Sequence, residues 1–509
     1  MTMRLARQLR LLILALTAAC AAGALQETTP VKPVSPGGPP QEASGERPKG
    51  PEYAGPELAI GQEGRLYLRW FAAEPRKSVD ILLSRSEDRG ATWSWPPVSL
   101  KPAEGARVSG LAMASDPKGG LWVVWREVDR DGRRYDLVLM RSQDGAQWGE
   151  GRRALGSGPD LGIPRLLADR DGHVVVAWLK GSPKGHRDLE IARSSGSAAT
   201  FASKLIRLSA AFPRSRFGIM HPELTSDGGG NLYVVWEETP TPTDFRIYLN
   251  RSLDWGKTWA TQPILVSAPE EGAYRAHKPQ ILAAPKERVY VIWEQTDRSS
   301  VTLQQPGRGM IPDRLIYVNR SLDHGQTWLP KPIRLNEARP EPIVSLDPQL
   351  STDQGGHVYA IWLEVEGPDT KGPLFARSSD SGMGWSKPGV RLDLTSPFWG
   401  RPARPMIRSD EAGHVWVLWQ ELIADQQQWK LLMNRSDDRG LTWRPHAIPL
   451  ASSPQRGGRY RGVAFDHDGQ GRLYVAWDGG PGNAQEIYVN RSADFGATWL
   501  PREVRVGRQ

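Results

Sequence analysis

Cysteine is all but absent: Cys20 is the only one in 509 residues. No disulfide can form within the chain, so packing and hydrogen bonds alone must hold the fold. Long apolar runs are equally scarce, and no segment reads as a mature membrane-spanning helix. Lys and Arg total 65 against 57 Asp and Glu, yet the surplus is spread out and never forms a block of like charge. A basic arm for nucleic acid is therefore not expected. No Gly-x-Ser-x-Gly elbow, His-Glu-x-x-His pair or P-loop occurs. Asp169-x-Asp171 and Asp466-x-Asp468-Gly469 miss the spacing of a calcium loop, so no metal or cofactor is expected. Phenylalanine is sparse at 9, whereas tryptophan reaches 21. That inversion points to one structural Trp recurring in a repeat.

The first residues read as an export signal. Arg4, Arg7 and Arg10 precede the apolar stretch Leu11 to Leu16, and small residues follow. Leu16-Thr17-Ala18-Ala19-Cys20 resembles a bacterial lipobox, which implies lipidation of Cys20 at the end of a signal peptide covering residues 1–20. Residues 21–55 are rich in Pro, Gly, Glu and Lys without apolar periodicity, and read as a flexible tether. The expected location is the cell envelope, with membrane contact through the lipid anchor only. Secretion is the alternative if Cys20 is not modified.

The repeat is a short strand ending in Trp. Its copies end at Trp70, Trp125, Trp178, Trp236, Trp293, Trp362, Trp419 and Trp477, spaced by 55, 53, 58, 57, 69, 57 and 58 residues. Each copy reads as strand, Gly/Asp turn, Trp-ended strand, variable loop, strand, tight turn, strand. Four antiparallel strands per repeat, at a period above 40 residues, specify the blade of a propeller. The expected fold is all-β: a single β-propeller of about eight four-stranded blades over residues 56–506. Its strands are called A to D from the channel outward, and a monomer is expected.

The C–D turn carries the sharpest motif. It reads Ser86-x-Asp88-x-Gly90-x-Thr92-Trp93 and recurs at Ser252 to Trp259, Ser321 to Trp328, Ser436 to Trp443 and Ser492 to Trp499. Ser378 to Trp385 has Gly384 for Thr, Ser142 to Trp148 is one residue short, and Ser194 to Phe201 has lost Asp and Gly. Gly suits a turn at positive φ, Asp can take up turn amides, and Trp can pack between sheets. A residue that recurs in seven turns reads as a brace, not a catalyst. This pattern resembles the Asp-box, or bacterial neuraminidase repeat, of the sialidase superfamily, and the resemblance spans residues 56–506. It implies a propeller with Asp-box C–D turns and says little about activity. Asn-Arg-Ser at Asn250, Asn319, Asn434 and Asn490 matches a glycosylation sequon, but its place at each Asp-box start explains it by repetition. His173, His357 and His414 fall on A–B turns of different blades and do not read as a metal cluster.

Divergence between copies locates the working end. The residue 15 before the repeat Trp is Gly55, Gly110, Ile163, His221, Lys278, Asp347 and Arg404, with Arg461 one residue out of phase. It usually precedes Pro and turns polar in the later copies. Arg216, Arg275, His277, Arg401, Arg459 and Tyr460 lie near it. An acidic column follows strand B at the same end: Glu127, Glu237, Glu294, Glu364, Glu421 and Asp478. Residues 296–314 form the longest insertion there. The ligand-binding candidates are Arg404, Arg461, Lys278, His221 and Arg275.

A sialidase, by resemblance, uses three arginines on the substrate carboxylate, a Tyr nucleophile backed by Glu, and an Asp acid/base. The family's early Arg-Ile-Pro has its nearest match at Gly162-Ile163-Pro164, without the arginine. Tyr460 stands where the late Tyr falls, with Glu421 or Glu364 as its support. The first functional expectation is a platform that binds a glycan or an envelope protein through the charged channel end. The alternative is a sialidase-like exo-glycosidase acting on acidic sugars.

Overall fold

The computed structural model describes residues 52–506 except 74–78, 117–118, 149–151, 170–171, 183–186, 195–205, 209–217, 242–243, 268–274, 297–301, 306–308, 338–343, 367–368, 393–400, 424–427, 452–454, 457–459 and 480–485. The expected signal peptide, Cys20 and most of the tether lie outside these residues. The tether's expected end at residue 55 is corrected, because the first strand already runs Glu52–Ile60 and buries Tyr53.

The regular structure of the described residues is almost wholly β-strand, with a single three-residue 3-10 turn. Each Trp-ended segment is the second strand of an antiparallel sheet, and the sheets are named here by that Trp. Five sheets have four strands and the Trp419 sheet has five. The Trp236 and Trp293 sheets join through one parallel pair, Phe245↔Arg275. The insertion after Trp293 forms its own hairpin, Thr302–Gln305 with Gly309–Pro312. Most outermost strands have only two or three residues, which leaves little open edge for another chain to pair with.

Packing between sheets arranges them in a ring, as in a β-propeller. The repeat tryptophans are at most 2% exposed. Each sits in an apolar cluster shared by neighbouring sheets; Trp236, for example, packs with Val175 and Ile191 of the Trp178 sheet. The last cluster joins Tyr53, Leu68 and Trp70 to Ala476, Ile487 and Val489, so the final sheet packs on the first. Among the described residues no strand is exchanged at that joint: the Trp477 sheet takes all four strands from residues 463–506.

The C–D turns explain their motif in hydrogen bonds. Ser86 Oγ donates to Asp88 Oδ1 at 2.8 Å and accepts the Gly90 amide at 2.7 Å. Asp88 also accepts the Thr92 amide at 2.8 Å and its hydroxyl at 2.6 Å. Two successive residues take positive φ, such as Arg439 and Gly440, so the position before Gly is as constrained as Gly itself. The Asn-Arg-Ser triplet has a role for each member. Asn490 is 2% exposed and donates to Leu450 O of the preceding sheet, which leaves it unavailable to a glycosyltransferase in the folded protein. The Arg reaches forward: Arg251 donates to His324 O, Arg435 to Phe495 O and Arg491 to Arg89 O, the last across the closing joint. His173, His357 and His414 each bond the Asp four residues earlier and brace A–B turns.

Acid should unfold the ring through these turns. Burial opposes the charge of Asp88, Asp323 and Asp494, but bonds from the turn Ser and Thr outweigh it and hold each near pKa about 2. An unfolded Asp titrates near about 4. A depressed folded value contributes stability above the unfolded value, lost as pH falls toward the folded one. Thermal melts followed by tryptophan fluorescence should hold steady from about pH 7 to 5 and fall steeply between about 4 and 2. A fall confined to the range above about pH 5 would contradict this account.

Candidate functional site

The A–B and C–D turns share one end of the ring, where Phe495 N donates to Gly471 O and Trp255 N to Gly230 O. The divergent column lies at the other end, in a bulge near the start of the innermost strand. Register shifts between Ala54 and Glu57, Met220 and Glu223, His277 and Gln280, Leu346 and Gln349, and Ala403 and Met406. Pro lacks an amide to donate, so the ladder breaks where it stands and the residue before it swings out. That residue takes the left-handed conformation: Gly55 at φ 64°, His221 at 49°, Lys278 at 50°, Asp347 at 52° and Arg404 at 51°. Glycine does this freely, whereas a residue with Cβ loses roughly 1–2 kcal/mol.

Buried carboxylates just after the repeat Trp support these bulges. Glu237 is fully buried; its Oε2 accepts from His221 Nδ1 at 3.0 Å and the Lys278 amide at 3.2 Å. Its Oε1 accepts from His277 Nδ1 at 3.2 Å. Burial works against its charge, but the two imidazole bonds outweigh that and hold it at about 2. Glu294 accepts from Lys278 Nζ at 3.2 Å, the Asp347 amide at 3.0 Å and Arg314 at 3.3 Å. Asp478 takes up the amides of Arg461 at 2.7 Å, Gly462 at 3.0 Å and Gly55 at 3.0 Å, tying the last sheet to the first. Burial nevertheless leaves its pKa raised.

The acidic column is not one rim, which corrects the sequence reading. Side chains alternate along a strand, so residues one and two after Trp face opposite ways. Glu237, Glu294 and Asp478 hold the first position. Glu127 and Glu421 hold the second and accept from the indoles of Trp125 at 2.8 Å and Trp419 at 3.0 Å. Glu238, passed over in the sequence, accepts from Trp236 at 3.2 Å in the same way. Glu364 also occupies the second position and is 2% exposed. The catalytic candidate Tyr460 is 1% exposed, packed among Trp416, Leu418 and Phe465, and its hydroxyl donates to Trp429 O at 3.3 Å. A phenol so placed does not present a nucleophile to a sugar.

The binding candidates fall into two groups. Arg404 and Arg461 are both exposed on successive sheets, and the Arg404 guanidinium donates to the Arg461 carbonyl. His221, Lys278 and Arg275 gather where the Trp236 and Trp293 sheets meet. There Arg275 lies 5.8 Å over the Phe245 ring, whose centroid is 4.6 Å from that of His277. Lys278 also reaches Asp347 at 3.4 Å. Arg216 and Arg459 lie outside the described residues, as does the side chain of Arg401. Among the described residues no three His, Cys, Asp or Glu side chains are placed to hold a metal. Gln420, placed like Glu237, is fully buried, and neither end of its carboxamide is bonded among the described residues. The sequence reading missed the joint between His221, Glu237 and His277. A Glu directly after Trp and a His on each side of two successive bulges were its only traces.

The chain matches no known family model and no curated protein. Solved structures similar to it include a polysaccharide lyase of the ulvan lyase type, at 14% identity and TM-score 0.46, covering 76% of this chain and 91% of that one. An α-L-arabinanase from Penicillium chrysogenum shows 19% identity and TM-score 0.39, covering 66% and 94%. A Hadza microbial sialidase shows 14% identity and TM-score 0.38, covering 70% and 74%. Likeness at this level carries no activity or site residue across to this chain.

Proposed function

We propose that this is an exported, lipid-anchored Asp-box propeller of eight blades that binds an acidic glycan at the bulge end of its channel. One observation carries the reading: four consecutive sheets place His221, Lys278, Asp347 and Arg404 in the left-handed conformation that Gly55 adopts without strain. Strain of this kind persists where a side chain must be aimed, and three of these four side chains are basic. A glycan suits the end better than a protein does. The exposed apolar side chains Leu253, Leu322, Met383 and Leu441 sit on C–D turns at the far end, and Trp95 and Val390 follow such turns. Protein interfaces draw on an apolar centre, which the bulge end lacks among the described residues. Buried Tyr460 weighs against the glycosidase alternative.

The test is a glycan array at low salt with the wild type, Arg404→Ala and Arg461→Ala, run beside a fluorogenic sialoside assay. The expected result is selective capture of acidic glycans that both substitutions weaken about tenfold, with no sialoside turnover. Sialoside turnover abolished by the same substitutions would replace the platform with an enzyme. Capture of neutral glycans alone would remove the acidic ligand.

A further inference from the structure

We propose that Arg126, on the Trp125 sheet, is a further anion subsite of the bulge end and takes a carboxylate or sulfate group of an acidic glycan. The inference rests on the platform reading and adds a contact on a different sheet from Arg404 and Arg461.

Comparison of equivalent positions identifies the site. Arg126 stands directly after Trp125, the position that Glu237, Glu294 and Asp478 hold in their own sheets. In the Trp236 and Trp293 sheets this residue pairs with the bulge side chain, Glu237 with His221 and Glu294 with Lys278. The same carboxylates accept the bulge amide of the next sheet, from Lys278 and Asp347. The Trp125 sheet inverts the scheme. Its residue is a cation, and its bulge residue is Gly110, which brings no side chain. The next bulge amide, that of Ile163, has no acceptor among the described residues. The acid is the missing partner, and an oxyanion from outside supplies it.

The guanidinium is held in place without being neutralised. Its Nε donates to Ser109 Oγ at 3.0 Å and its Nη1 to Leu161 O, which is bridged to Lys180 of the Trp178 sheet. Its carbon lies 5.0 Å from the centre of the Tyr135 ring. These contacts leave Nη2 unbonded among the described residues, where no carboxylate lies within ion-pair distance either. By contrast, Arg69 is bound to Glu57 and Arg165 to Glu223. The charges of Asp160 and Arg187 act on Arg126, but those two are paired with each other at 2.8 Å and largely cancel. Burial prevails and pushes the Arg126 pKa down, as it does for a cation short of an anion.

A half-buried charge without compensation is costly, so its retention asks for a reason. Tying Ser109 to Leu161 needs donors but no charge. A carboxylate or sulfate needs both, and a planar guanidinium fits it better than an ammonium does. The side chain is only half-buried, so such a group can reach it.

The test titrates the full chain by calorimetry at low salt and about pH 7.5, where arginines and both acidic groups are charged. The probes are an oligogalacturonate, which carries only carboxylates, and a carrageenan oligosaccharide, which carries only sulfates. Arg126→Met keeps the stem and removes the fork; it should weaken at least one probe about tenfold, and the probe affected names the group. Arg126→Lys keeps the charge without the fork and should fall between Met and the wild type. A role confined to tying the sheets predicts a lower melting temperature for Arg126→Met with unchanged affinity, and that result overturns the subsite. Should Arg126→Met not fold, Arg126→Lys decides, and affinity equal to the wild type overturns the subsite. Unchanged affinity in both variants beside a loss in Arg404→Ala overturns the subsite and leaves the platform standing. A loss in Arg126→Met with none in Arg404→Ala supports the subsite and takes the later sheets out of the platform. No binding of either probe overturns both.

Discussion

Asp478→Ala is expected to lower stability by about 3 kcal/mol and to open the ring at one joint only. Three part-buried amides, those of Arg461, Gly462 and Gly55, lose their acceptor together. Each orphaned donor costs roughly 1–3 kcal/mol, and water entering the space left by the carboxylate brings the sum toward the lower end. The place matters as much as the size. Elsewhere the chain itself links consecutive sheets, but the Trp477 and Trp70 sheets share no strand and meet through side chains and amides. Hydrogen exchange should therefore accelerate first in Glu52–Ile60 and Val463–His467, and the urea midpoint should fall without a change of slope. Asp478→Asn should recover only part of the loss, because its NH2 faces other donors. Uniform acceleration across all sheets would show that the closing joint is no weaker than the rest. Arg491→Met, at the opposite end of the same joint, removes one partly exposed bond to Arg89 O and should cost only about 1 kcal/mol.

The sequence made the repeat legible because every joint between sheets needs the same large apolar side chain, so Trp70 through Trp477 recur in step. The C–D turns were legible because their bonds are local, spanning Ser86 to Thr92. Long-range consequences were not. Tyr460 looked available until the neighbouring sheet supplied Trp416 and Leu418 to cover it. The roles of Asn490 and Arg491 depend on carbonyls of Leu450 and Arg89 in other sheets, which no local pattern names. Tyr53 gave no sign of joining a strand, since it is one apolar residue at the edge of a polar stretch. The acidic column could have been divided from sequence alone: Trp236 is followed by both Glu237 and Glu238, and two-residue alternation sends them to opposite sides. The bulge conformation was hidden more deeply. Gly55 suits positive φ, but Arg404 at the same position carries no mark of it.

That hidden conformation yields the sharpest separation of stability from function. Arg404→Gly should weaken acidic-glycan binding about tenfold while leaving the protein as stable as before or up to about 1 kcal/mol more stable. The substitution removes a left-handed strain of roughly 1–2 kcal/mol and gives back part of it through the greater freedom of glycine in the unfolded chain. Arg404→Ala removes the same guanidinium and keeps the strained backbone, so it should be about 1 kcal/mol less stable than Arg404→Gly, with equal loss of binding. Gly55→Ala is the reverse control. A Cβ there meets only Phe71, at an ordinary 3.5 Å, so its expected cost of about 1 kcal/mol reports the conformation alone. Denaturant melts of the three variants beside the wild type decide the matter. If Arg404→Gly and Arg404→Ala prove equally stable, the left-handed backbone costs nothing at this site and cannot be a sign of selection for binding. If they differ as expected and only the side chain governs binding, the bulges of the later sheets hold strained residues because the ligand needs their side chains.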